Sequence, residues 1–434
     1  MRTLFHTARP TPAEYHSNFL HLYFDIAWYG VLAASAMAFV SVYAARQGAN
    51  AVQIGLLGAS PAAMNLLFTL PVGRWLESQN LSSAVFETAV LHRLFYLLWV
   101  FFPIWLAPQA QIWVLIGSTL LMSIPGTALA VGFNALFAEA VPPPWRGHVT
   151  GIRNALLAIT YIVTSLLCGQ ILVRLPFPTG YQVVFGIGCV GAAMSCFHLR
   201  FVTGGSRAAV QAQTSSGLGD LATPGWNRLL ADGLRPGAAL RFLIRHQALS
   251  LLKKGVLSRS YVKVIAVLFS FHLAINMAIP LFPLHWVRQL RLSDREIGIG
   301  MAIFYCSVFL GSTQLARVVG RWGNQRATAF GAMFMSSYPL FMALARDWRL
   351  FLVGSAVGGI GWSLVGGALT NYLLEQIPED HRPTYLAWYN LALNAALLSG
   401  SLLGPLIGGL IGVRVALAVI AAFRLLTALA ILKR

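Results

Sequence analysis

The sequence predicts an all-α polytopic membrane protein, with twelve transmembrane helices in two pseudo-symmetric six-helix bundles. Three observations predict it. Hydrophobic residues make up 57% of the 434-residue chain and charged residues only 10%, whereas a soluble domain carries about 25% charge. Apolar runs recur from one end to the other, each of about 20 residues, the length that crosses a hydrocarbon core as a helix. A signature also repeats at a constant spacing of 236 residues: Glu139, Pro142, Arg146 and Asn154 return as Glu375, Pro378, Arg382 and Asn390. Duplicated halves suit a transporter, because one half can rock against the other around a central site.

In the first half the spans fall at 19–43, 51–74, 88–107, 111–139, 148–173 and 181–203. Residues 1–18 are polar and the first apolar run is long enough to span, so no cleavable secretory signal is read there. Span 2 starts on a capping box, Asn50 to Gln53; the short side chain bonds an amide three residues on and the longer one reaches back. The cap sets where the helix enters lipid, because no water can satisfy its first amides further in. Span 6 contains Gly186, Gly188 and Gly191 in a GxGxxG pattern, but no strand or βαβ unit precedes it, so helix packing explains it better than a dinucleotide.

The second-half spans fall at 261–287, 294–317, 327–345, 349–374, 384–410 and 413–432. Span 8 starts on the matching box, Ser293 to Glu296, and Gly73-Arg74-Trp75 after span 2 returns as Gly320-Arg321-Trp322 after span 8. Residues 1–203 therefore form one bundle, 261–434 the other, and 204–260 a hydrophilic linker. The linker opens on small polar residues and closes on a basic stretch, Ala238 to Val256, with Leu240, Ile244 and Leu251 at helical spacing among Arg241, Arg245, Lys253 and Lys254. Such a helix can lie on an anionic leaflet; a solvated tether is the alternative.

The formal net charge of +18 does not point to nucleic acid. Most Lys and Arg fall on the side of the two termini and the linker, which places both termini in the cytoplasm of a cell membrane. Cys168, Cys189, Cys196 and Cys306 lie in apolar runs without metal spacing. No Walker loop or HExxH motif is present, so no cofactor is expected. Asn80-Leu81-Ser82 matches a glycosylation sequon but falls in a cytoplasmic loop.

These residues resemble the major facilitator superfamily over nearly the whole chain. Gly73 and Glu77 fit the start of that family's loop motif between spans 2 and 3, although Ser78, Asn80, Ser82 and Ser83 occupy its later basic or glycine positions. In the second copy Gly320 and Arg321 match, with Asn324 where the acid would stand. Gly400, Gly404, Pro405, Gly408 and Gly409 in span 11 are similar to the GxxxGPxxGG motif that family antiporters carry in span 5, and the span 4 arginine is absent. The resemblance implies the family's fold and alternating access, with no direction of transport.

Candidate site residues follow. Asp25 stands alone as a carboxylate inside span 1, and must be paired, wet or protonated there. It is read as a coupling or substrate-binding acid, or else as a partner of Arg93 or Arg153. His272 and Asn276 share a face of span 7. Asn134, Asn154, Tyr305, Asn371, Tyr389, Asn390 and Asn394 add neutral polar groups on spans that line the cavity in the resembled family. Gly73, Glu77, Glu139, Arg146, Arg153, Gly320, Arg321, Glu375 and Arg382 are read as a cytoplasmic gate. Arg93 is expected to snorkel to the cytoplasmic face, and Arg424, near mid-span, to need a partner. Polar but sparsely charged, this set suits a hydrophobic or amphiphilic substrate exported by a secondary transporter, with protons as a coupling ion through Asp25. Proton-linked uptake of a small polar solute is the alternative, and a lipid-handling membrane enzyme the alternative of another class. The expected partners are the small-molecule substrate, protons and the bilayer, for a monomer.

Overall fold

The computed structural model describes residues 13–204, 259–377 and 382–433. The basic stretch expected over 238–256, and Pro378, lie outside the described residues, as does the side chain of Arg382. Helices account for the regular structure of the described residues, and no strand occurs among them.

Helix α1 runs as Ala13–Leu32, a π-helical turn at Ala33–Met37 and Ala38–Arg46. Then come α2 (Ala51–Glu77), α3 (Leu81–Trp105), α4 (Pro108–Ala140), α5 (Pro143–Arg174) and α6 (Thr179–Leu199). In the second half α7 is Arg259–Ala278, extended by Leu281–Leu284 and a π-helical turn at His285–Gln289. One continuous helical stretch, Asp294–Leu344, holds the next two helices and breaks at Gly323. There φ is +78°, a conformation that only glycine adopts without strain. The pieces on either side are α8 (294–322) and α9 (324–344), so the eleven apolar stretches long enough to span among the described residues contain twelve helices. Helices α10 (Trp348–Glu375), α11 (Arg382–Ile411) and α12 (Val413–Leu432) complete the second bundle.

Both expected capping boxes form. Asn50 accepts from the Gln53 amide at 2.9 Å while Gln53 accepts from the Asn50 amide at 2.8 Å, and Ser293 and Glu296 make the same exchange. The GxGxxG stretch of α6 packs as expected: a Cβ on Gly188 would lie 2.6 Å from the Ala36 methyl, and one on Gly191 would lie 2.9 Å from the Leu32 amide. Those residues form and precede the π-helical turn of α1, so the glycines let α6 rest against it.

The buried cores are not distributed evenly along the membrane normal. At the face where α1 ends and α8 begins, one core joins the two bundles, with Ile54, Leu57 and Leu172 packing in the same cluster as Met277, Leu281 and Ile297. At the face of the termini each bundle has its own core. Phe19, Leu22, Val141 and Val149 serve the first, while Tyr261, Leu268, Tyr385 and Ile431 serve the second. Among the described residues the buried cores join the bundles at one face and stay within each bundle at the other.

Candidate functional site

The seam between the bundles is made by α2 against α11 and by α5 against α8, and small residues set its closeness. A Cβ on Gly55 would lie 2.4 Å from the Ser401 carbonyl oxygen, and one on Gly298 would lie 2.6 Å from that of Ser165. At the welded face, polar bonds reinforce these contacts. Arg46 Nε donates to Asp294 Oδ1 at 2.8 Å and Arg46 Nη2 to the Leu292 carbonyl at 2.9 Å. Tyr181 donates to the same Asp294 oxygen at 2.7 Å, and Arg288 donates to the Ala49 carbonyl at 2.6 Å. Each of these bonds joins one bundle to the other.

The interior of the first bundle holds a cavity of about 470 Å³ that runs from Asp25 along α1 to Ser41. Most of its wall is apolar or aromatic, including Tyr29, Met122 and Phe133; its charged groups are Asp25, Arg93 and Arg153. These three form one buried cluster. Arg153 approaches Asp25 Oδ2 with both terminal nitrogens at 3.4 Å, and Arg93 reaches Oδ1 at 3.9 Å. The Ser195 hydroxyl donates to the same Oδ1. Arg153 also donates to the Leu22 carbonyl and stacks over the Phe133 ring at 4.9 Å. With Asp25 only 3% exposed and both guanidinium residues 7% exposed, desolvation makes each charge dependent on the others.

One expectation is corrected here. Arg93 does not snorkel to the surface: it turns into the bundle, where it meets Asp25 and donates to Cys196 Sγ at 3.2 Å. The inward turn wins because a carboxylate is within reach of α3, whereas the surface is not offered by its face of the helix. Arg153, read as a cytoplasmic gate residue or a partner of Asp25, stands in the wall of the cavity beside Asp25. The alternative reading of Asp25 as an ion-pair partner of these arginines is the one the geometry presents.

The second bundle answers with neutral groups. Tyr389 stands 236 residues beyond Arg153 and meets His272 at 3.0 Å. Asn276 donates to the His272 carbonyl, and Asn394 to that of Asn390. Asn394 also accepts from Asn65 of α2 at 3.4 Å, and Asn65 accepts from Thr127 at 2.8 Å. Tyr305 stacks on Tyr161 across the seam with ring centroids 3.7 Å apart. Asn154 lines a small cavity between α5 and α8, with its amide nitrogen buried and unpartnered. Asn134 is turned to its own helix, donating to the Ala130 carbonyl. Asn371, in α10, is half-buried.

Of the residues read as a gate, Arg146 caps the end of α4, donating to the carbonyls of Val141 and Ala138 at 3.0 and 2.6 Å. Glu375 accepts from Asn324 at 2.6 Å, tying the α8–α9 turn to the end of α10. Glu139 lies at the end of α4 beside Gly204. Gly73 is buried, whereas Glu77, Gly320 and Arg321 are exposed at the face of the termini. Sequence reasoning missed Arg46, Asn65, Tyr161, Tyr181 and the pairing role of Asp294. Arg46 and Asp294 could have been found as opposite charges at the ends of spans 1 and 8 on one membrane face.

The sequence of residues 264–434 matches the model of the Major Facilitator Superfamily. A search of curated proteins returns no match. Solved structures similar in fold include a bacterial homologue of the iron transporter ferroportin in an inward-facing state, at 15% identity and TM-score 0.68, covering 97% of this chain and 98% of that one. A POT family transporter in complex with a thioalcohol-conjugated peptide gives 11%, 0.66, 96% and 94%, and the nucleoside transporter NupG gives 12%, 0.63, 97% and 99%.

Proposed function

We propose that this polypeptide, whose residues 264–434 match the Major Facilitator Superfamily model and whose fold is similar to that of solved transporters, is a multi-pass membrane transporter that exports a hydrophobic or amphiphilic small molecule by alternating access. The observation that carries the proposal is the pairing of a one-sided weld with a largely apolar interior. Among the described residues the bundles share a core and an ion pair at one face only, and the first-bundle cavity exposes aromatic and aliphatic walls around three charged groups. Both termini lie in the cytoplasm in this reading, so the Arg46–Asp294 face is external and the conformation is open inward. A substrate enters from the cytoplasm or inner leaflet, the seam closes beneath it, and the external weld opens.

Within this reading Asp25 is the carboxylate through which proton coupling runs. A proton on Asp25 removes the charge that compensates Arg93 and Arg153, so protonation and substrate binding share one electrostatic cluster. Arg146 and the Asn324–Glu375 bond hold helix ends at the inner face, and Gly73, Glu77, Glu139, Gly320, Arg321 and Arg382 belong to the inner gate with them.

Flux tests the proposal. Purified protein in liposomes loaded with a fluorescent amphiphile is expected to release it faster than protein-free liposomes. An imposed pH gradient is expected to change that rate in the wild type but not in Asp25→Asn. Flux of polar solutes with none of amphiphiles would overturn the export reading.

A further inference from the structure

A second interior cavity, of about 270 Å³, lies within the C-terminal bundle and reaches the seam at Tyr161 and Tyr305. Its wall is aromatic, with Phe282, Trp286, Tyr338, Phe351 and Trp362, and its charged group is Arg424 of α12. Arg424 is 3% exposed. Its Nη1 donates to the Met335 carbonyl at 2.8 Å, and its Nη2 donates to those of Ala274 and Ile275 at 3.2 and 3.3 Å. Its Nε, buried, has no partner.

These bonds bolt α12 to α7 and α9, but a structural bolt does not require a charge. A neutral amide donates to carbonyls without the cost of placing a cation in a medium of low dielectric. The first bundle shows how this chain compensates buried guanidiniums, with Asp25 between Arg93 and Arg153. Among the described residues no carboxylate forms an ion pair with Arg424. Carbonyl dipoles orient the guanidinium, yet they leave a full positive charge facing an aromatic chamber.

We propose that this chamber binds a small amphiphilic organic acid, its anionic head on Arg424 and its apolar body against the aromatic wall. The inference rests on the amphiphile reading above and narrows it to anions. The volume, about 270 Å³, lies just below the roughly 300–1,000 Å³ typical of small-molecule sites, which suits a short aryl or alkyl acid. The unpartnered Nε–H supplies a charge-assisted hydrogen bond, and the rings supply the dispersion and burial that reward an apolar tail.

The test uses three probes with one body and different heads: 4-phenylbutyrate, 4-phenylbutanol and 4-phenylbutylamine. Binding to the detergent-purified full chain is read from quenching of tryptophan fluorescence and from the unfolding midpoint. The acid is expected to bind about 10-fold or more tightly than the alcohol, as a hydrogen bond to a charged group implies, and the amine most weakly. Arg424→Gln is expected to abolish the preference for the acid over the alcohol, and Arg424→Lys to keep part of it. Equal binding of acid and alcohol by the wild type would overturn the proposal without needing a folded variant. No binding of any of the three would overturn the amphiphile reading with it. A preference for acid retained in Arg424→Gln would remove the site from this chamber.

Discussion

Arg46 and Asp294 meet at 2.8 Å across the seam between the two bundles, and Tyr181 donates to the same carboxylate oxygen. The two side chains sit at the end of α1 and the start of α8, where the bundles already share an apolar core. The ion pair is partly buried, so its net value is that of a charge-assisted bond and not of an exposed surface pair.

Asp294→Asn keeps the shape and removes the charge. Losing one such bond costs the welded state about 1.5–3 kcal/mol, a shift of roughly 10- to 100-fold towards the state open at this face. Spin labels on Ala107 and Arg346, exposed positions of the two bundles at that face, read the change in a background without native cysteines. A longer-distance population is expected to grow in the variant. An unchanged distance distribution would show that the apolar core alone holds the weld.

The buried cluster around Asp25 makes a sharper prediction for stability. Asp25→Asn leaves Arg93 and Arg153 in the bundle interior without a counter-ion, and breaking a buried pair costs about 3–5 kcal/mol. The double variant Asp25→Asn with Arg153→Gln removes charge from both sides and is expected to recover part of that loss. Unfolding midpoints in detergent complete the cycle. Strict additivity of the two single losses would mean that the residues do not interact.

Much of the architecture could be read before the structure because its signals repeat. The capping boxes at Asn50 and Ser293 and the 236-residue spacing each fix a boundary or a symmetry from local chemistry alone. The break at Gly323 falls within the gap expected between spans 8 and 9. The site was less legible, since it depends on which face each helix presents. Hydropathy cannot say that Arg93 turns inward, or that Arg153, expected near the start of span 5, stands ten residues into α5 in a cavity wall. The Arg46–Asp294 pair is separated by 248 residues and joins two bundles, so no local pattern carries it. The basic stretch over 238–256 lies outside the described residues.

The glycines of the seam separate closure from folding. Gly298→Ala would place a methyl 2.6 Å from the Ser165 carbonyl oxygen, a backbone atom that cannot rotate away. The internal cores of the bundles do not include that contact, so the protein is expected to fold while the weld is forced apart and transport falls. Gly186→Ala is the control: nothing lies within 4 Å of its added methyl, and helix propensity favours alanine over glycine by about 1 kcal/mol. Flux in liposomes beside the unfolding midpoint distinguishes the two. Normal flux in Gly298→Ala would show that the seam has slack there.

The two halves share a backbone plan but differ in charge at one repeated position. Arg153 in α5 faces Asp25, whereas Tyr389, 236 residues on in α11, faces His272 at 3.0 Å. The first contact is ionic and buried; the second is a neutral hydrogen bond worth about 1 kcal/mol net. Tyr389→Phe should therefore lower the unfolding free energy by about that amount, with the aromatic packing kept. Arg153→Gln should cost several times more, because it leaves Asp25 held only by Ser195 and the more distant Arg93. Denaturant midpoints at constant slope measure both changes. Equal losses would mean that the ionic contact has no more weight than its neutral counterpart, and that the asymmetry between bundles resides elsewhere.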